Sequence, residues 1–345
     1  MSQIMIRRVR LFAILVTMSS ISGVAFETLY PWPHPVENFH YLFNWTVGPA
    51  MVWGIQVFYL PSKWGAPIRR MYFLTALLLK AVILMGVVIF VGTAHQVLLH
   101  GNFALDFFLQ PELLTLTLYV FLSVALLLTT AQVVRITGGR VLLKFILGKY
   151  HQPVREQRIF MFLDLVGSTP LAERLGDIGV QTLLTRFFFD ITEPILEFGG
   201  EIHRYVGDQV IIIWPYTGAK NVIAAVRCYF AIAEKIRLLA PEYERDFDAV
   251  PEFKAGLHGG PVVISECGDF KQEIVYFGDT INTAARIEQQ CKSLESRFLV
   301  SGELLAATEL PDPYQAVSKG VVQLRGRAHE TELFEIQLDQ VTSSS

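Results

Sequence analysis

Four long stretches without Asp, Glu, Lys or Arg lie in the first 134 residues: Leu11–Phe26, Asn38–Ser62, Ala81–Leu105 and Leu113–Val134. A small soluble core has no room for so much uncharged helix, whereas about 20 residues of helix cross the hydrocarbon of a bilayer. The first stretch is the shortest, 16 residues between Arg10 and Glu27. A cleaved signal sequence is its alternative, but no small-residue cleavage site follows it cleanly, so a retained span is expected. The third begins nearer Met71 and carries Lys80 within it, as a snorkelling residue or as an ionisable site paired with a group such as Glu27. Spans are expected near 9–28, 43–61, 71–94 and 113–134, forming an all-α membrane bundle over residues 1–134.

Lys and Arg set the orientation. Arg7, Arg8 and Arg10 precede the first span, Lys63, Arg69 and Arg70 lie between the second and third, and Arg135, Arg140, Lys144 and Lys149 follow the fourth. The connections at 27–43 and 94–112 contain no Lys or Arg. Four spans with both termini cytoplasmic satisfy all of these charges, and the expected location is the cell's inner membrane. His34, His40, His95 and His100 then fall on the outer side. Interfacial belt residues and a cluster binding haem or another metal, or sensing pH, are the two readings of these histidines.

Apolar residues make up 52% of the 345, and mean hydropathy is +0.40. The excess sits in residues 11–134, and beyond 150 the composition is that of a soluble domain. Net charge is −3, so no global field argues for nucleic acid. Three cysteines without a CxxC fit a reducing compartment. Residues 135–157 read as a cytoplasmic linker, broken by Gly138-Gly139 and Pro153, residues 158–338 as a second domain, and 339–345 as a disordered tail.

The second domain is organised around Arg158–Gly167. Arg158–Leu163 reads as a buried strand ending at a carboxylate, Asp164, and a small-residue turn. Ser168 or Thr169 is expected to cap the following helix, with Pro170 at its first position. That helix runs to Gly199-Gly200. Glu201–Tyr205 and Gln209–Trp214 read as a hairpin around Val206-Gly207-Asp208. A helix over Ala219–Leu239, strands at Phe253–His258 and Val262–Ile264, a helix over Ile281–Lys292, and strands near Phe298–Ser301, Ala316–Leu324 and Leu333–Ile336 complete the pass. The order is that of a ferredoxin-like βαββαβ palm, an α+β fold. It brings Asp164 and Asp208 together across 44 residues. Two adjacent carboxylates repel unless a cation lies between them. Mg²⁺-type ions take few carboxylates and complete their shell with phosphate oxygens, and two of them clamp an in-line displacement. The backbone amides at Val166–Thr169 suit phosphate. Asn282 and Arg286, four apart on one helix face, can orient a sugar and meet phosphorus.

The segments RIFMFLDLVGST, GEIHRYVGDQVIIIW, AGLHGGPV and YFGDTINTAARIE together resemble the class III nucleotidyl cyclase catalytic domain over about 155–337. The resemblance implies head-to-tail homodimers with active sites at the interface. It implies Asp164 and Asp208 as ligands of two Mg²⁺ or Mn²⁺ ions, with the Leu165 carbonyl assisting. Gly167, Ser168 and Thr169 would cradle phosphate. Asn282 and Arg286 of the partner would serve ribose and transition state, and Arg325 the terminal phosphates. The base-selecting positions depart from the pattern: Arg204 stands where the family has an adenine-reading lysine, and Val275 where it has Asp or Thr. Guanylate cyclases prefer Glu and Cys there, and neither is present. Glu273 lies near enough to substitute as a partner. The resemblance implies a membrane-anchored adenylate cyclase converting ATP to 3′,5′-cyclic AMP and pyrophosphate, regulated by its spans. Guanylate cyclase activity, or a catalytically weak nucleotide-binding module, are the alternatives. A diguanylate cyclase would need a Gly-Gly-Asp-Glu-Phe hairpin, and this one reads Tyr-Val-Gly-Asp-Gln.

Overall fold

The computed structural model describes residues 3–29, 38–60 and 62–65, scattered positions from 68 to 129, and 148–339 except 270–271, 307 and 327–329. The chain divides into two compact units, Met1–Gly139 and Arg140–Ser345.

In the first unit, α1 spans Gln3–Leu29 and α2 spans Asn38–Gly54. Pro49 removes a backbone donor within α2, and the helix continues as a π turn at Ile55–Tyr59. The two helices meet at a small-residue surface. A Cβ on Gly23 would lie 2.0 Å from the Trp45 ring, so only glycine permits the approach. Around it, Ser20 Oγ donates to the Trp45 carbonyl at 2.6 Å and Trp53 Nε1 to Ser19 Oγ at 2.9 Å. Phe26 stacks on Tyr119 at 4.1 Å between ring centroids. Among the described residues one stretch, Arg8–Phe26, is long and apolar enough to cross a membrane. Parts of the expected third and fourth spans, Lys80, and His34, His95 and His100 lie outside the described residues, as does the side chain of His40.

The second unit is built on one sheet. Its strands are β1 (Val154–Leu165), β2 (Glu201–Val206), β3 (Gln209–Pro215), β4 (Phe253–Cys267), β5 (Glu273–Phe277), β6 (Phe298–Ser301), β7 (Tyr314–Val322) and β8 (Thr331–Leu338). Its helices are α3 (Ser168–Glu197), α4 (Ala219–Phe247), α5 (Asp279–Ser293) and the single turn α6 (Gly302–Leu305). The sheet order is β2-β3-β1-β4-β6-β8-β7, with β5 on the far end of β4. The segment β1-α3-β2-β3-α4-β4 is therefore the expected βαββαβ unit. β1 reads as a continuous apolar run because both its faces are covered. Ile159, Met161 and Leu163 pack with Leu183, Phe187, Val222 and Ile232 of α3 and α4. Phe160 and Phe162 pack with Ile211, Ile213 and Ala284 beneath α5. Each such side chain, fully buried, is worth about 1.5–3 kcal/mol.

Several boundaries differ from expectation, each for a physical reason. β1 starts at Val154, inside the stretch read as linker, because Val154–Gln157 pairs with Pro261–Ile264. Phe253–Cys267 is one strand rather than two, since Gly259, Gly260 and Pro261 all stay in register with β1. β5 was not expected; it pairs only with Val263–Cys267. The expected side-chain cap on α3 is absent. Its N-cap is Gly167 in the left-handed region, φ 71°, with no side-chain hydrogen bond, and Ser168 already belongs to the helix. Gly176, φ 71° and ψ 168°, divides α3 into two helical pieces.

Candidate active site

Register places the two carboxylates. Asp164, one residue from the end of β1, stands opposite Gln209 on β3, and Asp208 precedes Gln209 in the two-residue hairpin turn. On its other side Asp164 stands opposite Lys254 of β4. Directly paired residues share a face, so Asp164, Gln209 and Lys254 all lie on the α5 side. The next pair inward is Phe162 with Gly256. A Cβ on Gly256 would fall 2.2 Å from the backbone nitrogen of Glu288. This glycine lets α5 lie directly on the sheet, and that contact delivers the buried Glu288 to the site. Lys254 Nζ is 2.8 Å from Glu288 Oε1 and 3.5 Å from Asp164 Oδ2. Gln209 Nε2 donates to Glu288 Oε2 at 3.3 Å.

The electrostatics follow from this packing. Burial raises the Asp164 pKa, the Asp208 charge raises it further, and Lys254 opposes both. Burial likewise raises Glu288, against the pull of Lys254. Burial lowers Lys254, but the Glu288 and Asp164 carboxylates outweigh it, so its pKa lies above the ordinary value. The site thus carries a surplus of negative charge at Asp164 and Asp208 that a cation relieves. The donor set is hard oxygen: two carboxylates and the backbone of Leu165, whose side chain is buried. No group of three His, Cys, Asp or Glu side chains able to hold a metal occurs among the described residues. A Mg²⁺- or Mn²⁺-type ion fits such a set, because it keeps phosphate and water oxygens as its other ligands.

Gly167, Ser168 and Thr169 form the turn after β1 and the start of α3. Of the expected amides, Val166 N–H is not available, since it donates to the Glu252 carbonyl at 2.8 Å. Asn282 and Arg286 are on α5 with Glu288, but two residues of helix turn the direction by about 200°. Arg286 therefore points away from the aspartate pair. Its Nη2 is beside Gly326, where a Cβ would lie 3.3 Å away, next to the exposed Arg325. Its Nη1 is buried without a hydrogen-bond partner, 3.8 Å from Asp279 Oδ1. Within one chain Arg286 thus lies beside Gly326 and faces away from the Asp164–Lys254–Glu288 cluster. Arg204 on β2 donates to the Glu273 carboxylate on β5. Val275, two residues along β5, offers no hydrogen-bonding side chain.

A cavity of about 430 Å³ lies elsewhere, at the start of α5, lined by Arg155, His258, Asp279, Thr280 and Glu303 among others. Asp164 and Asp208 are not in its wall.

The sequence model of the adenylate and guanylate cyclase catalytic domain matches residues 150–337. The chain belongs to that family. The second half is accordingly a class III nucleotidyl cyclase catalytic domain with the mixed α/β sheet of that fold. Adenylate cyclase 2 of Rhizobium meliloti (strain 1021) is 39% identical over 217 residues, 63% of this chain and 60% of that protein. Adenylate cyclase 1 of the same strain is 28% identical over 188 residues, 53% of this chain and 28% of its own. The chain therefore spans less than two thirds of either relative. A bacterial light-regulated adenylyl cyclase of known structure shares the fold, with a TM-score of 0.53 and 23% identity, over 63% of this chain and 64% of that one.

Lys254, Gln209 and Glu288 are site residues that sequence reasoning missed. Lys254 carried a weak signal, a lone charge between Phe253 and Ala255 in an apolar strand. Glu288 stood in the quoted segment, two residues after Arg286.

Proposed function

We propose that the chain is a membrane-anchored adenylate cyclase, working as a homodimer, that converts ATP to 3′,5′-cyclic AMP and pyrophosphate. The observation that carries this is the β1–β3 register, which sets Asp164 beside Asp208 at the mouth of the sheet. The relatives named adenylate cyclase support ATP as the substrate. Asp164, Asp208 and the Leu165 carbonyl would hold two Mg²⁺ or Mn²⁺ ions. Bound there, such ions would polarise the α-phosphate and make the ribose 3′-hydroxyl more acidic.

The chain's own groups supply the rest. Backbone N–H groups at Gly167–Thr169 donate to phosphate oxygens at a helix start. Asn282 of one subunit orients the ribose at the other subunit's aspartates, so that the 3′-oxygen lies in line with the leaving pyrophosphate. Arg286 of that same subunit donates to the equatorial oxygens, where charge builds in the transition state. Arg325 holds the terminal phosphates. Arg286's separation from Asp164 within one chain, and its Nη1, which makes no hydrogen bond, support the dimeric assignment. Four spans near 9–28, 43–61, 71–94 and 113–134 would keep both termini and the catalytic domain on the cytoplasmic side of the inner membrane, in contact with lipid, and pass a regulatory signal through residues 135–157.

The test is direct. The full chain, purified in detergent with Mn²⁺ or Mg²⁺ and ATP, should form cyclic AMP and pyrophosphate. Asp164→Ala and Asp208→Ala should each abolish the product. Turnover surviving both substitutions would overturn the metal assignment.

A further inference from the structure

We propose that this chain reads the nucleotide base with Arg204 and Glu273 acting as one unit, and not with the side chain at position 275; the inference rests on the nucleotide site proposed above. Arg204 lies on β2, at the edge of the sheet, four residues before Asp208. Glu273 begins β5, which is paired only with β4. The two strands are not neighbours, yet the Arg204 guanidinium donates to the Glu273 carboxylate across the gap. Both side chains are partly open to solvent, 48% and 35% exposed, so a base can reach them. Val275 is on the same face of β5 as Glu273, two residues on, and carries only methyl groups.

The chemistry of the base decides what is needed. The adenine edge sets an acceptor, N1, beside a donor, the 6-amino group. Arginine donates through five N–H groups and accepts nothing. Alone it satisfies N1 and leaves the amino group without a partner. A carboxylate already held against the guanidinium supplies the missing acceptor, and the guanidinium fork keeps other N–H groups for N1. Glu273 is therefore the acceptor for the exocyclic amino group, and Arg204 both donates to N1 and fixes the carboxylate.

The experiment compares ATP with purine riboside 5′-triphosphate, which lacks only the amino group, using the full chain. The wild type should prefer ATP in kcat/KM by roughly ten- to hundredfold, the usual worth of a hydrogen bond to a charged group. In Glu273→Ala the preference should vanish, with ATP falling to the level of the analogue. Glu273→Gln keeps an acceptor oxygen and should retain part of it. A preference that persists in Glu273→Ala, or an equal loss on both substrates, overturns the proposal. Calorimetric binding reads the same contrast without turnover. ATP bound selectively through Glu273 but never cyclised would overturn the cyclase reading while supporting the pair. Binding without contrast would overturn the pair.

Discussion

Lys254 and Glu288 form an ion pair at 2.8 Å between β4 and α5, and Asp164 sits 3.5 Å from the same ammonium. One lysine thus restrains two carboxylates, of which Glu288 is almost completely buried, its side chain 4% exposed. Removing one partner of a buried pair strands the other's charge. Lys254→Met should lower stability by about 2–3 kcal/mol, below the full buried-pair cost because the lysine is partly exposed. A shift in urea midpoint at constant m-value measures it. Lys254→Met with Glu288→Leu removes both charges and should recover most of the loss. Equal destabilisation in the single and double variants would contradict the pairing.

This pair also marks where sequence reasoning stopped. Arg158–Leu163 was legible because burial on both faces makes a strand continuously apolar. The hairpin was legible because Gly207-Asp208 interrupts two such runs. From those two elements the Asp164–Asp208 approach followed. Lys254 and Glu288 were not legible, since only strand register and the absent side chain of Gly256 bring them together. β5 was read through because five residues paired with one end of β4 leave no periodic signal. The break at Gly176 and the uncapped start of α3 depend on backbone angles at two glycines, which composition does not report. The Arg204–Glu273 contact joins strands that are not adjacent, so proximity in sequence only hinted at it.

His203, on β2 beside Arg204, gives a pH dependence. Burial, and then the Arg204 charge, lower its pKa from 6.5 to about 4, and its ring meets Tyr276 edge-on at 5.0 Å. Between those two pH values the unfolded chain takes up a proton that the folded domain refuses. The stabilisation is complete above pH 6.5 and is lost as pH falls towards 4, by up to about 3 kcal/mol. Unfolding midpoints across this range, wild type against His203→Gln, isolate the effect from carboxylate titration. The difference between the two proteins should shrink with falling pH, and a constant difference would refute the assignment.

Asp208 should trade stability for activity. Its charge helps raise the Asp164 pKa, so the metal-free domain holds two repelling carboxylates. Asp208→Asn should stabilise the metal-free protein by about 1 kcal/mol, as is common when a functional site is relieved. The same change should abolish stabilisation by Mn²⁺, which in the wild type should reach about 2.7 kcal/mol at a hundredfold excess over Kd. Melting curves with Mn²⁺ and with chelator read both effects. A variant that still gains stability from Mn²⁺ would place the metal elsewhere.

The dimeric site makes the most specific prediction. Arg286 on α5 turns away from Asp164 on β1, so the proposed active site would join one chain's aspartates to another chain's arginine. Asp164→Ala and Arg286→Ala should each be inactive alone. Co-expressed, they form mixed dimers in which one site pairs the intact Asp164 of the second variant with the intact Arg286 of the first. The other site carries both lesions. With random assembly, half the dimers are mixed and each has one good site, so activity should return to about a quarter of wild type for a two-fold symmetric dimer. Differently tagged chains, purified in tandem, should raise this to about half, since every recovered dimer is then mixed. A site completed within one chain cannot be rescued in this way, and a co-purified mixed dimer with no cyclic AMP formation would rule out the shared site.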